Sequence, residues 1–294
     1  MDNRAGKLTE RLLVFFLGIP AVCALVFLLP FYRHLPLNIV VILFSAAGAV
    51  EFSAMLEKKL IRISKIEAFI LGALLPLAST LNVSLDFPNW IIPVTLMTGA
   101  LWALLSHVFS GPGDVDTIIY RLAGCFCVMC YPGFFMYWMV RMHIWENSGA
   151  VVFLFLLITF LNDSIAWLFG TLFGANNRGI ITVSPNKSIA GFIGGLFGSV
   201  VISIGAVLLV PSVFSVSGSP VSALLPKAII LGVFTGIFAS LGDLAESAIK
   251  RSCDVKDSGN LMLGRGGILD SIDSVAIAAP VFFMLYNIFF YSFR

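Results

Sequence analysis

Apolar residues fall in long runs separated by short polar connections, and the runs do not alternate with a period of two. A helix needs about 20 apolar residues to cross a hydrocarbon layer of about 30 Å. The pattern predicts nine such helices, near residues 12–31, 37–56, 67–82, 90–109, 119–140, 150–172, 189–211, 228–249 and 271–291. In lipid only helices and closed barrels satisfy their own backbone amides, and the missing alternation leaves helices. The expected fold class is all-α: a polytopic integral membrane protein with about nine transmembrane helices. No period of 20 to 50 residues and no low-complexity tract suggests a solenoid or a tail.

Composition agrees with the pattern and excludes a soluble domain. Of 294 residues, 59% are hydrophobic and 12% charged, and the mean hydropathy is +1.00. The net charge of +2, with no basic run interleaved with aromatics, gives no reason to expect nucleic acid as a partner. Arg4, Lys7 and Arg11 precede the first run as they would in a signal peptide, but that run has no small-residue cleavage site after it and reads as an uncleaved span. Basic residues mark the cytoplasmic side. With the N-terminus inside, 14 of the 18 Lys and Arg fall in cytoplasmic segments, an alternation that favours an odd number of spans. The five cysteines give no disulfide framework, and Cys125, Cys127 and Cys130 read as small packing residues.

Polarity changes near residue 160. The expected organisation is an N-terminal region of five spans, 1–148, followed by a catalytic region, 149–294, with cytoplasmic loops at 173–188 and 250–270. Ten of the 34 formal charges lie in the 31 residues from Asp243 to Asp273. Asp243, Glu246, Ser247 and Lys250 follow an i, i+3, i+4, i+7 spacing, which lines them on one helical face. Ionisable groups at membrane depth are costly unless paired or hydrated, so that face marks a site. Asp270 and Asp273 form a second i, i+3 pair. With Asp243 they make a three-carboxylate set of hard oxygen ligands suited to Mg²⁺, although acids in a first helical turn also complement the helix dipole. Between them, Lys250, Arg251, Lys256 and Arg265 alternate with Asp254, Asp257 and glycines, a composition suited to phosphate.

A second polar segment, 162–195, carries Asp163, Ser184 and Lys187 as candidate substrate contacts. Its glycines Gly191, Gly194, Gly195 and Gly198 are spaced for close helix packing, which fits either a homodimer or contact within the chain. Glu51 stands alone among apolar neighbours and reads equally as a structural pairing group or as part of a site. The three histidines are dispersed and receive no catalytic role.

The segment from Asp243 to Asp273 resembles the C-terminal motif of the phosphatidate cytidylyltransferase (CDP-diacylglycerol synthase) family, S-x-x-K-R, K-D and G-x-G-G-x-x-D-x-x-D. Here these are Ser247, Lys250, Arg251; Lys256, Asp257; and Gly264, Gly266, Gly267, Asp270, Asp273. NDSIAW and SPNKS are similar to two further motifs of that family. The resemblance implies transfer of CMP from CTP to phosphatidate with Mg²⁺ as cofactor, in a bacterial-type inner or plasma membrane with the active site on the cytoplasmic side. It gives the cation to Asp243, Asp270 and Asp273, with Lys250 also catalytic. Asp163, Ser184, Lys187, Ser247, Arg251, Lys256, Asp257 and Arg265 would line the substrates. Asn186, Ala190, Arg265 and Ser271 depart from the family pattern, which keeps an impaired binding subunit as one alternative. A transporter using the same carboxylates is another.

Overall fold

The computed structural model describes residues 17–18, 20–108, 112–214, 220–262 and 266–291. Among them there is no β-strand; two isolated bridges, Arg178 with Ser188 and Met262 with Gly266, are the only extended pairings. Residues 20–27 are helical (α1), while much of the predicted first span lies outside the described residues. The other helices are α2 (Phe31–Glu57), α3 (Lys65–Ser84), α4 (Ile91–Leu105), α5 (Val115–Ile144), α6 (Ser148–Phe173), α7 (Ile189–Leu209), α8 (Val221–Ser252) and α9 (Leu269–Tyr291). Seven of these, α2, α3 and α5 to α9, are long and apolar enough to cross a membrane. Helix α4, with 15 residues, is shorter than the roughly 20 that a span requires. The described chain is thus an all-helical integral membrane protein with seven full-length candidate spans.

Local chemistry explains several boundaries. Tyr32, Arg33 and His34 have left-handed φ values of 48°, 51° and 59°, so regular α2 geometry begins only after His34. Ser64 accepts the Glu67 amide at 3.1 Å and starts α3, the S-x-x-E arrangement of a capping box. Helix α5 is interrupted by a π-helical stretch, Met129–Phe134, that contains Pro132. Proline lacks the N–H that would continue the α-ladder. At this bulge the Ser45 hydroxyl lies 2.9 Å from Pro132 O and 2.7 Å from Gly72 O.

The described residues pack as two compact units, one drawn from 1–141 and 250–272 and the other from 142–249 and 273–294. In the first, α2 and α3 close on a core that includes Ala46, Ala49, Phe52, Leu71 and Leu75. Gly72 permits the contact, since a Cβ there would meet Ser45 O at 2.9 Å. Glu67 is buried and accepts hydrogen bonds from Arg121 and from Trp102 Nε1, each at 3.0 Å, which offsets the cost of carrying a carboxylate into the span.

In the second unit α6 and α7 share an extensive interface made by the glycines of α7. A Cβ on Gly191 would lie 2.7 Å from Ala166 O, and one on Gly195 would lie 2.8 Å from Asn162 O. The spacing noted in the sequence therefore serves contact within the chain. Because the obstacle at Gly191 is backbone, Gly191→Ala forces the helices apart. Its expected cost is about 1–3 kcal/mol, read as a lower unfolding midpoint in detergent. Asn162 joins three helices of this unit, donating to Ser240 Oγ at 3.0 Å and accepting from Ser199 Oγ at 3.1 Å.

Candidate active site

In the first unit the candidate chemistry sits where α8 ends, a glycine-rich loop turns, and α9 begins. Lys250 Nζ lies 2.5 Å from Asp270 Oδ1, with the two side chains only 11% and 8% exposed. The other Asp270 oxygen accepts the Ser258 and Gly267 amides at 2.9 and 2.7 Å, and the Ser258 hydroxyl at 2.9 Å. Glu51, from α2, accepts the Ile268 amide at 3.0 Å and the Leu269 amide at 2.9 Å. Two carboxylates thus satisfy the amides that open α9, groups a helix leaves without internal acceptors. The turn itself closes through paired Met262 and Gly266 backbone hydrogen bonds of 2.9 and 3.2 Å. Gly266 has φ +103°, a conformation that a side chain would strain.

Several other loop residues are open to solvent, while Cys253 is buried. Arg251 donates to Val255 O at 3.2 Å, and Lys256 and Asp257 are exposed. Lys59 lies 2.7 Å from the exposed Asp254 and holds its carboxyl below the usual range. Gly264 and Arg265 lie outside the described residues.

The second unit brings together a different set. Lys187 Nζ lies 2.5 Å from Asp243 Oδ2, and the Ser247 hydroxyl lies 3.5 Å from Asp243 Oδ1. Asp163 accepts the Ser274 hydroxyl at 3.2 Å. Asp273 accepts the Ser274 amide at 2.6 Å and lies within electrostatic reach of Glu246, Asp243 and Asp163. Close approach of the backbones supports this cluster: a Cβ on Gly242 would lie 2.5 Å from Asp273 O. Ser184 belongs to the turn that delivers Lys187, accepting its amide at 3.1 Å through the main chain. Ser188 ends that turn and caps α7 by accepting the Gly191 amide.

The Asp243 carboxylate beside Lys187 offers hard oxygen donors of the kind Mg²⁺ takes. Among the described residues no three His, Cys, Asp or Glu side chains converge into a ready-made coordination sphere. The three-carboxylate set Asp243, Asp270 and Asp273 expected from the sequence is therefore not gathered at one point among the described residues. Asp270, which the sequence also offered as a ligand, has its carboxylate engaged by Lys250, Ser258 and Gly267. The sequence reading gave no role to Ser258, Asn162 or Ser274: although Asn162 opens the NDSIAW motif and the two serines stand beside Asp257 and Asp273, the charged neighbours carried the signal. The isolation of Glu51 was the one cue to its role.

The cytidylyltransferase family model matches residues 9–289. The chain belongs to the cytidylyltransferase family. It is 37% identical over 162 residues to the phosphatidate cytidylyltransferase of Staphylococcus aureus (strain COL), covering 53% of this chain and 56% of that protein. It is 31% identical over 202 residues to the phosphatidate cytidylyltransferase of Thermotoga maritima, covering 68% and 70%. An uncharacterized protein of Escherichia coli (strain K12) is 39% identical over 138 residues, 47% of this chain and 43% of that one. The chain thus spans little more than half the length of the staphylococcal relative. Family membership gives the Lys250, Asp270 and Asp243 clusters a nucleotidyl-transfer context in which to be read.

Proposed function

We propose that this membrane protein transfers CMP from CTP to phosphatidate, giving CDP-diacylglycerol and pyrophosphate. The family match over residues 9–289 carries the reading, and relatives named phosphatidate cytidylyltransferase support it. In the reaction a phosphatidate phosphate oxygen attacks the α-phosphorus of CTP. The new P–O bond forms as the bond to the bridging oxygen of the β-phosphate breaks, and that oxygen leaves with pyrophosphate. The nucleophile is already anionic near neutral pH, so no strong general base is required. Charge on the phosphates must be neutralised. Lys250, Arg251 and Lys256 are assigned to this, with Lys250 exchanging Asp270 for a phosphate oxygen when substrate enters. Lys187 and Ser184 are assigned to the substrate side of the second cluster, with Asp163 and Ser247 as polar neighbours. Asp257 keeps its assignment from the motif, and Arg265, which departs from the family pattern, is assigned a phosphate contact of its own.

Asp243 and Asp273 are assigned to Mg²⁺, which when bound supplies charge neutralisation at the phosphates. Loop charge further supports an odd number of spans, taken as nine from the apolar runs, with a cytoplasmic N-terminus and catalysis on the cytoplasmic face, where CTP is available while acyl chains stay in lipid. Purified protein in detergent is expected to release pyrophosphate only when CTP and phosphatidate are both present, to lose this activity in EDTA, and to regain it with Mg²⁺. Undiminished turnover in EDTA would refute the metal assignment, and no turnover with any nucleotide would refute the reaction.

A further inference from the structure

The geometry points to Glu51 as a positioning residue that holds the glycine-rich loop and, through it, Asp270 and Lys250. Glu51 stands on α2, more than 200 residues before the loop it binds. Its carboxylate accepts the Ile268 and Leu269 amides, and the Ser258 hydroxyl lies 3.1 Å from Oε2. The same hydroxyl lies 2.9 Å from Asp270 Oδ2 and accepts the Asp270 amide at 3.3 Å. It has one hydrogen to give, so it donates to one carboxylate at a time, and its position within 3.1 Å of both sets Glu51 and Asp270 side by side. Asp270 in turn receives Lys250. All of these groups belong to one compact unit.

The loop glycines fit this account. The three atoms nearest a Cβ built on Gly259 all belong to the Glu51 side chain, and a Cβ on Gly267 would collide with Ser258 Oγ and Glu51 Oε2. Gly259 and Gly267 are therefore required at least by the carboxylate the loop wraps, whatever phosphate it also meets. An apolar residue at position 51 would leave buried amides without acceptors. A glutamine would turn an N–H₂ toward groups that themselves donate.

The kinetic consequence rests on the proposed transferase reading; the placement of Glu51 does not. Two measurements on the full chain in detergent separate them. The first is an unfolding-midpoint cycle of Gly259→Ala, Glu51→Ala and the double variant. The methyl group is expected to destabilise the parent and to cost less than about half as much once Glu51 is truncated, the non-additivity of groups in contact. Equal cost in both backgrounds would overturn the placement. The second is steady-state pyrophosphate release by Glu51→Gln. Loss of about tenfold or more in kcat is expected, with KM for CTP changing by less than kcat does, because Lys250 meets phosphate on entry but is needed most as charge develops in the transition state. Adding Ser258→Ala to Glu51→Gln is expected to lower kcat little further. Wild-type kcat in Glu51→Gln, or a change in KM alone, would overturn the positioning role. If the parent releases no pyrophosphate, the transferase reading fails while the stability cycle still decides where Glu51 acts.

Discussion

Asp243→Asn is expected to lower pyrophosphate release by at least about 10²–10³-fold, the range seen when one preorganised charge contact to a transition state is lost. Asp243 accepts Lys187 Nζ at 2.5 Å and neighbours Asp163 and Asp273. Its loss removes negative charge from the proposed cation site and releases the lysine delivered by the Ser184 turn. The fold should tolerate it. The Lys187 and Asp243 side chains are each about one third exposed, and solvent-screened pairs contribute about 0–1 kcal/mol. Relief of repulsion from Asp163 and Asp273 offsets even that. The discriminating result is a near-parental unfolding midpoint beside collapsed turnover at saturating Mg²⁺. Turnover within about threefold of the parent, under 1 kcal/mol of barrier, would remove Asp243 from the active site.

Asp270→Asn is expected to cost both stability and activity. The Lys250–Asp270 pair is largely buried, and breaking such a pair on one side costs about 3–5 kcal/mol because a charge stays behind in low dielectric. Asp270 also accepts the Ser258 and Gly267 amides, so its amide analogue weakens the opening turn of α9 as well. Lys250→Met spares those bonds and should destabilise less. The double variant Lys250→Met/Asp270→Asn should recover about 1–2 kcal/mol relative to additivity, since neither charge is then buried alone. It should stay inactive, because the phosphate-neutralising ammonium is gone. Thermal unfolding in detergent beside pyrophosphate release measures both. Strict additivity of the midpoints would show that the two groups do not interact in the folded protein.

The helical, membrane-embedded character was legible from hydrophobic pattern alone because lipid leaves few alternatives: an apolar run of span length must close its own hydrogen bonds. The runs at 150–172, 189–211 and 271–291 lie close to Ser148–Phe173, Ile189–Leu209 and Leu269–Tyr291. Hydropathy was weaker where helix geometry depends on neighbours. The run at 90–109 contains a helix of only 15 residues. The run at 119–140 conceals the π-helical stretch around Pro132, whose carbonyl lies 2.9 Å from the Ser45 hydroxyl of α2. Spacing put Asp243, Glu246, Ser247 and Lys250 on one helical face, but it could not say which partner each would take.

By itself, the sequence determined that the chain is a helical membrane protein, and it located the scarce charge between Asp243 and Asp273. Periodicity and the cost of burying charge act locally along the chain, so they are readable there. Only the tertiary structure decided that Glu51 closes the start of α9, that Asp270 is held by Lys250, and that Lys187 reaches Asp243. Those contacts join residues from 20 to more than 200 positions apart. They are fixed by which buried amides and charges need partners once the helices have packed, a condition that no local pattern records.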